Sequence, residues 1–352
     1  MNEDMSYLTK EESTTEDGCA LRYFNYLYEL LVSIFFPQQQ LKKVNKQLSV
    51  FFEDEDNELV SNKVCVDGFL GKFNETQLQH ELLDYRFGPE STFCGKSFKE
   101  IFKEKGFNNL KIVFDTEDYY IHRCQVYNES IDMQHLLIQL FIRCDHTLFI
   151  WSSKSFSNSI FQEQLVKGNE FIKNHFKHPN LNVTIVEWLR VQDYRHYCKN
   201  KMLLPSQLHT GLGLTREIHY CVQHYAKQSQ RDGISNTPEQ WHNALQYLRL
   251  NPPFKFLNPA YEGIFLSINE AVKNDIKEKG FAEVVWALTS KCLKRKDNGE
   301  RFEWIKMEQI SPMSQELKMY FNSNEYNALV NENYHPENLF IDWDLFYPVH
   351  ND

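Results

Sequence analysis

The chain reads as an α+β protein, with a mixed, mostly antiparallel sheet flanked by helices. Three observations lead there. Short β-favouring runs between residues 110 and 191 alternate apolar with polar side chains, as in Ile121, Arg123 and Gln125 against His122, Cys124 and Val126. Helical spacing of apolar residues brackets that stretch on both sides. Between the last of these runs and the next helix lies a loop carrying Gly211 and Gly213.

The elements follow in order. Residues 1–18 set Glu3, Asp4, Glu11, Glu12, Glu16 and Asp17 around a single Lys10. Such a segment cannot bury enough apolar surface to order itself, so a disordered acidic tail is expected. A secretory leader needs a basic start and then an apolar run, and this start offers neither. Residues 19–105 are expected to form a helical region. Leu21, Phe24, Leu27, Tyr28, Leu31 and Ile34 predict a helix over 21–36 that Pro37 ends. It is the most apolar stretch, yet Arg22, Asn25 and Glu29 interrupt it and it is too short to span a bilayer, so no membrane association is expected. The acidic run at 53–58 reads as a solvated loop, and residues 98–107 as a helix ending at Gly106.

Residues 106–258 form the expected α/β core. Strands are predicted at 110–115, 119–126, 136–143, 147–151 and 183–191, with a helix at 161–176 before the last strand. A helix follows at 211–229, with Leu214, Ile218, Cys221, Val222 and Tyr225 as its apolar face. Another is expected at 238–248, since Thr237 can cap it and Pro238 suits its first turn. Residues 259–352 form an α/β extension. Helices are predicted at 261–279 and 281–288. A hairpin is predicted about Asn298-Gly299, between 289–296 and 301–307. An extended aromatic and acidic tail is expected from 326 to 352.

Charge and cysteine usage narrow the function classes. The 352 residues carry a formal net charge of -10 with no long basic stripe, which argues against general nucleic-acid binding. The eight cysteines include no pair at CxxC spacing. In a chain long enough to build its own core they read as small buried residues of a reducing compartment, the cytoplasm or nucleus. No metal is expected from local ligand spacing. His219 and His224 are five apart and do not share a helix face. His196, Cys198 and His209 share only a loop region.

The loop at 204–214 is the main chemical signal. Glycines at 211 and 213 let the backbone approach a ligand closely, and the first N–H groups of the following helix lack internal partners. Together they suit a phosphate or pyrophosphate. No lysine follows as a P-loop needs, and Arg216 takes the place of the third glycine of a dinucleotide fingerprint.

Residues 108–258 resemble the Gcn5-related N-acetyltransferase superfamily in element order and in two blocks. Leu208-His209-Thr210-Gly211-Leu212-Gly213 resembles the R/Q-x-x-G-x-G/A loop. Trp241-His242-Asn243-Ala244-Leu245-Gln246-Tyr247, with Phe254 and Phe256 beyond, is similar to the later Asn…Ala…Tyr helix. The chain departs from the pattern in having Leu208 at the first loop position, and Pro252-Pro253 where a Gly-Phe is usual. The resemblance implies an acetyl-CoA or other acyl-CoA cofactor and a small-molecule or protein amine as acceptor. It implies that backbone amides of His209, Thr210, Gly211, Leu212, Gly213 and Leu214, with Asn243, hold the coenzyme. Glu187 or His209 would be the general base, and Tyr247 would protonate the leaving thiolate. Two other readings compete. One is a catalytically inactive scaffold on a similar fold, acting through a protein partner. The other is a metal-dependent hydrolase built from dispersed His and Asp residues. An open cleft beside residues 209–214 would separate the first reading from a filled scaffold.

Overall fold

The structure is a computed structural model that describes residues 69–70, 72–118, 121–145, 159–176, 181–196 and 202–347, all within a unit spanning 64–352. The expected acidic tail, the helix at 21–36, the acidic run at 53–58 and the strand at 147–151 lie outside the described residues.

A seven-stranded, mostly antiparallel sheet organises the unit, and helices flank it. Strands β1 (Leu110–Asp115), β2 (His122–Asn128), β3 (Leu136–Asp145) and β4 (Val183–Val191) form an antiparallel meander. Strand β5 (Gly233–Asn236) runs parallel to β4. β8 (Gln309–Pro312) and β6 (Lys255–Phe256) complete the order β1-β2-β3-β4-β5-β8-β6. The sheet is therefore not complete at residue 258. Its sixth position is filled from the C-terminal extension.

Helices α1 (Glu75–Asp84) and α2 (Phe98–Glu104) precede the sheet. Ser97 caps α2 and accepts from the Glu100 amide at 3.2 Å, while the Glu100 carboxylate accepts from the Ser97 amide at 2.7 Å. Leu78, Phe98, Ile101 and Phe102 of these helices share one core with the sheet and with α4 (Thr215–Gln228). Helix α3 (Gln162–His175) packs on the other face, where Ile172 meets Val183 and Ile185.

After β5 come α5 (Trp241–Leu248), α6 (Pro259–Ala271), α7 (Lys273–Lys279) and α8 (Phe281–Thr289). The run expected as one helix over 261–279 is broken at Val272. The expected hairpin about Asn298-Gly299 forms but is short: the amides of Arg295 and Phe302 donate to Glu300 O and Leu293 O at 2.9 and 2.8 Å. The turn is present, with Gly299 at φ 71° and a single bridge between Lys294 and Arg301. On its other edge β7 (Leu293–Arg295) pairs with β9 (Leu339–Ile341). Helix α9 (Gln315–Asn322) follows β8, and the stretch expected as an extended tail from 326 to 352 instead holds most of α10 (Asn324–Glu332) and β9. Ser314 and Ser323 cap the two helices, accepting from the amides of Leu317 and Tyr326.

Buried tyrosines tie these helices to the sheet. Tyr320 donates to Leu257 O at 2.6 Å and Tyr326 donates to Phe256 O at 2.7 Å. Glu262 lies among them, 3% exposed, and accepts from the Phe256 amide at 2.8 Å. Burial pushes its carboxyl up to about 7. A folded pKa above the unfolded value means stability is full below the unfolded pKa and is lost as pH rises through 7. Glu262→Gln keeps the acceptor and removes the charge. It is expected to match the parent in urea unfolding at pH 4.5 and to exceed it by about 3 kcal/mol at pH 8.5.

Candidate functional site

The site grows from one irregularity in β4. Phe141 pairs with Trp188 and Ile142 with Val186, so Glu187 is an extra residue, a β-bulge. The bulge inverts the side-chain alternation. Val186 faces the core beneath α4, and after the bulge Leu189 and Val191 take that same face. It also bends the strand. The parallel pairing of β4 with β5 ends at Val186 and Asn236, while β4 runs on to Val191. The two strands therefore fork. The Gln192 amide donates to Leu137 O of β3 at 2.9 Å, and the Asp193 amide donates the other way, to Thr210 O, at 2.7 Å. By alternation the backbone groups of Leu189 and Val191 point to the open edge of the fork.

A cleft of about 610 Å³ fills the fork. Residues 186–192, the loop at 205–213, the first turn of α4, residues 236–240 and α5 wall it. Its volume suits a small-molecule or cofactor site.

The glycine loop is pegged from below. Leu212 and Leu214 are buried in the core, and Gly211 and Gly213, alternating with them, are exposed. Gly213 has φ 71°, a left-handed conformation that suits glycine. α4 begins at Thr215, four residues later than expected, because this turn comes first. No side chain caps it, so its first amides face the loop without an internal partner.

Six of the candidate residues line this cleft: Glu187, His209, Gly211, Gly213, Asn243 and Tyr247. Leu212 and Leu214 are buried in the core instead, and the Thr210 carbonyl accepts from the Asp193 amide. The two candidate bases differ. The Glu187 carboxylate accepts from Arg143 Nε, which holds it as an ion pair. His209 Nδ1 is buried and has no hydrogen-bond partner. Tyr247 packs against Phe254 with ring centroids 5.1 Å apart, and burial pushes its phenol up to about 12. Helix α5 begins at Trp241 after Gln240, so Thr237 is not its cap.

Sequence reasoning missed three other residues. Asn236 ends β5 at the fork, 3% exposed, with neither Oδ1 nor Nδ2 partnered. His242 is 4% exposed, its Nδ1 is unpartnered, and burial pushes it down to about 4, so it is neutral near pH 7. Arg190 stacks over Trp188 at 5.5 Å. A polar residue ending a short buried strand was a visible signal for Asn236. For the other two nothing local stood out.

Electrostatics set the cleft apart from the rest of the chain. Arg190, Arg216 and Arg249 line it, and none has a carboxylate partner among the described residues. Its carboxylates are engaged. Glu187 is with Arg143, Glu239 with Lys306 at 3.1 Å, and the buried Glu217 accepts from Ser91 Oγ and Thr92 Oγ1 at 2.9 and 3.0 Å. A chain of net charge -10 thus turns free positive charge into this cleft.

Elsewhere, His219 packs on Phe254 and His224 on Tyr85, so the two rings face different neighbours. His196 pairs with Asp193 at 2.9 Å. Among the described residues no group of three His, Cys, Asp or Glu is placed to hold a metal ion. No described helix is long and apolar enough to cross a membrane. Compared with protein-family models, curated proteins and solved structures, the chain matches none of them.

Proposed function

We propose that the chain is an acyl-CoA-dependent N-acyltransferase. The observation that carries this reading is the fork between β4 and β5, open onto the Gly211–Gly213 loop at the uncapped start of α4. A pyrophosphate placed there meets backbone amides at the positive end of a helix. Arg216 and Arg249, both exposed on the α-helical side of the cleft, add charge for the remaining phosphate. The open edge of β4 suits the two amides of the pantetheine arm, which can pair with it as a strand would. The order of elements and the single parallel strand pair support the same reading.

In this account the thioester lies near the fork, beside Asn236 and His242. The acceptor nitrogen attacks the thioester carbon. A C–N bond forms, the C–S bond breaks, and the nitrogen gives up one proton. His209, which lines the cleft, takes that proton. Tyr247, protonated throughout the physiological range, delivers one to the departing thiolate. Glu187 has a structural part, because its bond to Arg143 fixes the bulge that opens the fork.

Turnover tests the reading. Purified chain, acetyl-CoA and a pool of amines should yield free thiol and N-acetyl product in equal amounts. Absence of both would count against it. Arg216→Ala is expected to weaken coenzyme A binding about tenfold and to flatten its salt dependence.

A further inference from the structure

Trp188 and Arg190 lie on the face of β4 opposite Leu189 and Val191, and so away from α4 and the glycine loop. Trp188 Nε1 donates to Gln139 Oε1 at 3.1 Å, which fixes the indole. Arg190 lies over that indole, partly withdrawn from water. Burial pushes its guanidinium down from its usual value. A desolvated arginine is ordinarily paired, since an uncompensated charge there is costly. Glu187, on the same stretch of strand, is taken by Arg143 instead. Among the described residues Arg190 therefore keeps its planar fork of donors free, in the geometry that grips a carboxylate or phosphate. No carboxylate in the cleft is left over to bind a polycation.

We propose that the acyl acceptor is a small amine carrying its own anionic group, and that Arg190 holds that group. This rests on the acyltransferase reading. It divides the cleft in two. Phosphates of the donor lie at the glycine loop with Arg216 and Arg249, and the acceptor's anion lies on the far face of β4 with Arg190. The reaction balances as above: R–NH2 and acyl-S-CoA give R–NH–acyl and CoA-SH, with no other reactant.

The test uses the full chain, acetyl-CoA and matched amines. The twenty common α-amino acids and glucosamine 6-phosphate are the anionic arms. L-alaninamide, glucosamine and spermidine lack the anion. Coenzyme A binding is measured alongside by calorimetry. At least one anionic amine should be turned over at least about tenfold better than its matched neutral form. The arm that responds identifies the anion as carboxylate or phosphate. Arg190→Met should raise that acceptor's KM at least about tenfold and leave coenzyme A affinity within about twofold. Arg190→Lys, which keeps charge but loses the fork, should fall between. Equal or better turnover of alaninamide, glucosamine or spermidine would overturn the proposal. So would an unchanged KM in both variants, or no turnover of any anionic amine while coenzyme A still binds. Failure of coenzyme A to bind would instead remove the acyltransferase reading on which it rests.

Discussion

Gly211→Trp is expected to abolish coenzyme A binding while leaving the fold intact. A Cβ built at Gly211 meets Val191 O at 3.6 Å, an ordinary contact, and the residue is exposed in the cleft. The backbone there does not need φ above zero, so a side chain costs little strain. An indole at that position would occupy the space between the loop and the open edge of β4, where the pyrophosphate and the upper pantetheine arm belong. Loss of at least about a hundredfold in affinity is expected, with an unchanged urea midpoint. Gly213 is the poorer choice. Its φ of 71° would strain any other residue, so lost binding could follow from a distorted loop. Calorimetry on Gly211→Trp, checked by circular dichroism, separates occlusion from unfolding. Undiminished binding would place the coenzyme elsewhere.

Tyr247→Phe is expected to lower kcat by about a hundredfold with little change in coenzyme A affinity. The phenol lines the cleft and packs on Phe254, a contact that phenylalanine preserves. What it removes is the proton for the leaving thiolate. Because burial pushes Tyr247 up to about 12, the parent should not lose rate through this group as pH rises from 7 to 10. A variant that lost affinity rather than kcat would make Tyr247 a wall of the site and not a proton donor.

Much of the sheet was legible because its strands carry their own pattern. β1 and β4 run over the residues that alternation picked out, 110–115 and 183–191. What was not legible depends on distant partners. β8 is four residues long, and it is a strand only because β5 and β6 pair with it on either side. The pairing of β7 with β9, beyond its own hairpin arm, is another long-range choice, made across more than forty residues. By contrast, Ser323, which caps α10, is a local signal just ahead of the aromatic run from 326 that suggests an extended chain.

The site divides in the same way. A glycine turn before an amphipathic helix announces itself in sequence, and so the residues near 211 were found. Glu187 reads as a strand residue in the sequence, and its place in the bulge shows only in the register against β3. Arg190, Asn236 and His242 become significant because a fork brings them to one cleft, and no spacing along the chain records that. Their common mark is physical: an unpartnered charge or polar atom where burial makes it costly.

The measurement that bears most directly on the central claim is a calorimetric titration of the purified chain with coenzyme A. The account predicts one site with micromolar affinity, weakened by salt and lost in Gly211→Trp. A folded chain that takes up no coenzyme A at millimolar concentration would contradict it.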